Sequence, residues 1–161
     1  MSSDLTPPPA PSPATLHEPV PAQPNLLFAI LAGLAAALVG AVAWALITVA
    51  TDMQIGFMAV GVGFLVGYGV GLFNPQHDKV YGYIGAALAL LGCLLGNAFT
   101  IVGVLSTNHH VSVFAILGQI DFGKIPGVMA ETFSPIDLLF YGIALYEGFK
   151  FSVKGRTPKK A

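Results

Sequence analysis

The stretch Ile55 to Phe73, IGFMAVGVGFLVGYGVGLF, constrains this chain more than any other. It runs nineteen residues without a charge and is punctuated by Gly56, Gly61, Gly63, Gly67, Gly69 and Gly71. Each such glycine weakens a water-exposed helix by roughly 1 kcal/mol relative to alanine. In lipid the backbone must stay hydrogen-bonded, and small residues let helix axes approach closely. The stretch therefore reads as a membrane-spanning helix, with Gly56, Gly63, Gly67 and Gly71 on one packing face.

Three further apolar segments extend this reading. Leu26 to Ala50 is long enough to cross with some tilt, and Ala29, Gly33, Ala37, Ala41 and Ala45 recur every fourth position along it. That smooth stripe predicts a close antiparallel hairpin with the glycine face of the next span across the short turn Thr51 to Gln54, with Trp44 as an interface anchor. Val80 to Leu105 forms a third span, in which Gly85, Ala89, Cys93 and Asn97 share a face and Thr100 follows. The polar break before it, Asn74 to Lys79, reads as a short loop in which Pro75 ends span two and His77, Asp78 and Lys79 lie in water or headgroups. Ser134-Pro135-Ile136-Asp137 is a helix start with the residues of a capping box, and the helix it opens runs to about Phe151.

Between spans three and four, Val113, Phe114, Ile116, Leu117 and Ile120 give an apolar face too short to cross. The expected fold class is thus an all-α membrane protein with four transmembrane helices at about 26–50, 55–73, 80–105 and 134–151, and an interfacial or re-entrant helical segment over about 111–132. Composition agrees: of 161 residues 55% are hydrophobic and only 9% charged, against roughly 25% charged in soluble domains, which leaves no room for a separate soluble catalytic domain. Residues 1–24 hold eight prolines and no Lys or Arg, and read as a disordered tail without the basic start of a signal peptide. Residues 25–151 form the membrane domain and 152–161 a basic tail.

Orientation follows from charge. Lys79, Lys150, Lys154, Arg156, Lys159 and Lys160 fall on one side of a four-span topology and only Lys124 on the other, which puts both termini in the cytoplasm. The basic tail has no aromatic interleaving, so no nucleic-acid partner is expected.

The polar residues give no catalytic set. An ionisable group inside a span is a functional-site hypothesis by default. Asp137 has a capping role available, and Glu147 stands one turn before Lys150, in reach of an ion pair. Asn97, Thr100, Tyr146 and Glu147 are the candidates for a polar or ion pathway, with Thr48 and Tyr141 as further polar positions. His109 and His110 are adjacent and lack companions for a tetrahedral metal site, so no metal or cofactor is expected. Cys93, the single cysteine, reads as a packing residue. A shift of 52 residues lays Gly33, Gly40 and Thr48 over Gly85, Gly92 and Thr100, a match that Ala-, Leu- and Gly-rich composition produces easily.

Three blocks together, QIGFMAVGVGFLVGYGVG at 54–71, IGAALALLGCLLGN at 84–97 and SPIDLLFYGIALYEGFKFS at 134–152, resemble a family of uncharacterised bacterial four-span integral membrane proteins. In that family a similar core is carried behind variable N-terminal segments such as zinc ribbons. The resemblance implies a bacterial origin, with which the expected location is the bacterial inner (cytoplasmic) membrane, and assigns no functional residue.

The resulting expectation is a non-enzymatic anchoring or scaffolding module, packing or self-associating as a homo-oligomer through Gly33, Ala37, Ala41, Gly56, Gly63, Gly67, Gly71, Gly85 and Ala89. Its partners would be the lipid bilayer and other membrane or cytoplasmic proteins. The alternative is a small oligomeric channel or transporter with residues 106–134 as a re-entrant gate.

Overall fold

The computed structural model describes residues 25–53, 56–74, 77–119, 123, 127 and 134–155. The Pro-rich tail, half of the expected 111–132 segment and the last six residues lie outside the described residues. The fold is all-α, with five helices among the described residues: α1 (Leu26–Thr51), α2 (Met58–Gly71), α3 (Lys79–His109), α4 (Val113–Gln119) and α5 (Pro135–Lys154). Two of them, α1 and α3, are long and apolar enough to cross a membrane.

Helix ends follow local chemistry. At α5, the Asp137 carboxylate accepts the Ser134 backbone N–H at 2.9 Å, the reciprocal half of a capping box, and Pro135 takes the first turn. At α3, Asp78 accepts from Val80 N–H at 3.0 Å. The helix α2 is shorter than the expected 55–73 because both of its ends tighten into three-residue turns. Ala59 and Val60 donate to Gly56 and Phe57, and Phe73 and Asn74 donate to Val70 and Gly71.

The four longer helices form one bundle. Helices α2 and α3 lie side by side, with α1 on one flank of the pair and α5 on the other. Consecutive long helices run antiparallel, so α1 and α3 are parallel, as are α2 and α5. At one end Phe28 stacks on Phe73 with ring centroids 6.0 Å apart.

The glycine face of α2 does not meet α1 as the sequence predicts; it meets α5. A methyl group at Gly63 would lie 2.5 Å from the Ala144 carbonyl oxygen, one at Gly67 2.9 Å from that of Glu147, and one at Gly71 2.6 Å from that of Phe151. These helices touch backbone to backbone, a separation only glycine permits. The α1 stripe works differently: Ala29, Gly33, Ala37 and Ala41 are buried, but Gly33 and Gly40 are notches that receive the Val70 and Val62 side chains of α2. Sequence spacing identified both smooth faces but paired them wrongly, since either could take a ridge or a backbone.

On α3, Gly85 and Ala89 face Gly148 of α5, and Cys93 is buried with its sulfur 3.9 Å from the Ala59 carbonyl oxygen. Gly56 sits against the Phe140 ring.

Candidate functional site

Sequence reading placed Trp44 at a membrane interface, yet the structure leaves it 1% exposed. Its indole lies against α3 where Gly96 offers no side chain; a methyl there would be 2.9 Å from the Trp44 ring carbon Cε3. Because α1 and α3 run parallel, one further turn brings Thr48 and Thr100 to a common level, and both are buried. The α5 side of the same level carries Asp137 and, one turn deeper, Tyr141, both less than one-tenth exposed. The Asn97 amide donates to the Tyr141 hydroxyl and joins α3 to α5. Trp44, Thr48, Asn97, Thr100, Asp137 and Tyr141 thus make a polar layer at the end of the bundle where α1 and α3 finish and α5 begins.

Three polar atoms of this layer, Trp44 Nε1, Thr48 Oγ1 and Thr100 Oγ1, have no hydrogen-bond partner among the described residues. The contrast with nearby exposed threonines is informative. Thr51 donates to Ile47 O at 2.7 Å and Thr107 to Gly103 O at 3.1 Å, the usual way a helical hydroxyl is satisfied. Thr48 and Thr100 forgo that bond where desolvation makes an unpaired hydroxyl most unfavourable.

Of the residues the sequence nominated for a polar pathway, Asn97 and Thr100 are brought together in this layer, and Tyr146 and Glu147 are not. Tyr146 is exposed with the Lys150 ammonium 5.3 Å above its ring, and Lys150 makes no ion pair with Glu147. The ammonium has turned to a ring face four residues back instead of the carboxylate three residues back. Glu147 is half-buried, its backbone carbonyl against Gly67 of α2. The described residues contain no cluster of three His, Cys, Asp or Glu side chains able to hold a metal ion. His110 is exposed at the end of α3.

The opposite end carries a second arrangement that the sequence reading did not anticipate. Asn74, expected as part of a short loop, is fully buried. Its Nδ2 donates to Ser152 O at 2.9 Å and to Asp78 O at 3.0 Å, while its Oδ1 accepts Asp78 N–H at 3.0 Å. His77 Nδ1 donates to Val153 O at 3.1 Å. One loop thereby supplies partners for the last carbonyls of α5 while shaping the start of α3. Ser152, also fully buried, lies in the notch left by Gly85 and donates to Gly67 O at 3.3 Å. The only sequence signal for this clamp was Asn74 standing beside Pro75 at a helix end.

Comparison with protein-family models, with curated proteins and with solved structures gives no match for this chain. The functional reading rests on its own geometry.

Proposed function

We propose that this chain is a multi-pass protein of the bacterial cytoplasmic membrane, crossing four times through α1, α2, α3 and α5 with both termini in the cytoplasm, and that it is a non-enzymatic anchoring and scaffolding module. The observation that carries the reading is the division of residue types between the inside and outside of the bundle. Small residues fill the helix seams, while Leu27, Val39, Leu46, Tyr83 and Leu138 are each more than 60% exposed. A soluble monomer hides such side chains; a lipid-facing one displays them. With its flanking turns α2 covers residues 56–74, reaching about 28 Å at ~1.5 Å per residue, close to the roughly 30 Å hydrocarbon core. Lys79, Lys150 and Lys154 all stand at the end of the bundle shared by the α3 start and the α5 finish, the cytoplasmic side by the positive-inside rule.

The inward glycines are engaged within the chain. Self-association as a homo-oligomer therefore falls to outward positions such as Gly61 and Gly142, which have open space around them. The test is topology. In a Cys93→Ala background, single cysteines at Asp52 and at Lys79 in intact cells should report opposite sides to a membrane-impermeant thiol reagent. Equal labelling of both, or recovery of the protein in the soluble fraction, overturns the proposal.

The unpartnered atoms of the polar layer favour a second reading, a small oligomeric channel or transporter with residues 106–134 as its gate. Cation flux in proteoliposomes that falls on Thr48→Val or Thr100→Val would select it over the scaffold.

A further inference from the structure

Between α2 and α5, on the surface of the bundle, lies a cleft of about 400 Å³. That volume is within the range of small-ligand sites. Its chemistry changes along its length. One end is aromatic: Phe64 meets Phe151 edge to face at 4.8 Å and stacks on Tyr68 at 6.4 Å. The other end holds His77 and Lys154 beside Gly155. Gly71 also lines the cleft, where α2 and α5 touch backbone to backbone. The His77 ring is fixed by its Nδ1–H bond to Val153 O, leaving Nε2 as its remaining polar atom. The Lys154 side chain is exposed, and the sequence directly after Gly155 adds Arg156, Lys159 and Lys160.

We propose that this cleft binds one anionic phospholipid, with its phosphate at Lys154 and the upper part of an acyl chain along Phe64, Tyr68 and Leu72. The proposal rests on the membrane reading above. Charge complementarity selects the occupant: an apolar groove that ends in a cation, with further cations next in sequence, fits an amphiphile whose head is negative. A second copy of this chain, presenting the same basic end, would bring like charges together. Lysine suits a phosphate diester as a mobile point charge, without the fixed fork geometry of arginine. The direction agrees as well, since the basic end of the cleft is the cytoplasmic end of the proposed topology and the aromatic end lies deeper.

The test is native mass spectrometry of the full-length protein, extracted in mild detergent and offered equal amounts of phosphatidylglycerol and phosphatidylcholine. The wild type should retain phosphatidylglycerol in preference by roughly five-fold, the scale of one lysine near a lipid surface. Lys154→Ala should bring retention of the two lipids to parity. Lys150→Ala, whose ammonium sits over Tyr146 away from the cleft, should leave the preference intact. Leu72→Trp, which narrows the groove at an exposed position, should lower retention of phosphatidylglycerol with Lys154 still present. Equal retention of both lipids by the wild type, or equal losses in Lys150→Ala and Lys154→Ala, would overturn the site in favour of none or of diffuse charge. Displacement of the lipid by soluble glycerol phosphate at matched concentration would show an anion site without an acyl groove and overturn it as well. Recovery of the wild type without detergent would defeat this proposal and the membrane reading together.

Discussion

Single side chains decide more here than their number suggests, because each polar one in the interior acts against a low dielectric. Asn74 is the clearest case. Asn74→Ala removes a fully buried amide that bonds to Asp78 N, Asp78 O and Ser152 O, and leaves two carbonyls and an N–H without that partner. A loss of about 3 kcal/mol is expected, read from the midpoint of unfolding in mixed micelles. Asn74→Leu, similar in size, should not rescue it. The opposite sign is expected in the polar layer. Thr48→Val and Thr100→Val each remove a buried hydroxyl that has no partner among the described residues, and should raise stability by roughly 1 kcal/mol in the same assay. A fall in stability would mean that a partner holds these hydroxyls in the working protein. Between Asn97 and Tyr141, a double-mutant cycle with Asn97→Leu and Tyr141→Phe should return a coupling of about 0.6 kcal/mol, typical of hydrogen bonds between membrane helices.

At the scale of elements, the seam between α2 and α5 is where the fold is most exacting. Leucine at Gly63 would drive a side chain into the Ala144 backbone, which cannot move without parting the two helices. Gly63→Leu should therefore abolish the folded monomer, whereas Gly61→Leu, two residues away in open space, should leave it folded. Size-exclusion chromatography in detergent with thermal aggregation separates the two outcomes. If both variants behave alike, the inward and outward roles of these glycines are not as described. The seam between α1 and α3 is built on a different plan, with a large indole seated on Gly96, so Gly96→Val should cost more stability than Gly103→Val. At Gly103 the nearest neighbour is a single Val49 methyl, which can shift, whereas the Trp44 ring is rigid.

At the scale of the molecule, the bundle has two unlike ends joined by apolar seams. One holds the polar layer of Trp44, Thr48, Asn97, Thr100, Asp137 and Tyr141. The other holds the Asn74 clamp, the lysines and the amphipathic cleft. This polarity along the axis places the two most chemically distinctive regions at opposite ends of the bundle. The proposed anchoring role would draw on the basic end; a conducting one would need the polar layer to continue past the packed middle. That middle, at Ala37, Ala59, Val62, Ala89, Cys93 and Ala144, is apolar and buried.

The sequence by itself determined the all-helical class, the positions of α1 and α3, the start of α5 at Ser134 and Asp137, and the identity of the small-residue faces. These depend on composition and spacing within one segment, where periodicity and capping chemistry are local. Only the tertiary structure decided which face meets which. Gly63 and Gly67 lie on α5 because backbone contact there is closed by Ala144 and Gly148, and α1 instead accepts valines. It also decided that Trp44 is internal, that Lys150 covers Tyr146 and leaves Glu147, and that Asn74 is buried. Each depends on a partner distant in sequence: Gly96 makes room for an indole 52 positions earlier, and Asn74 becomes a clamp only when Ser152 arrives 78 residues later. A residue's type states what contacts it can satisfy; the packing of non-adjacent helices states which of them it is offered.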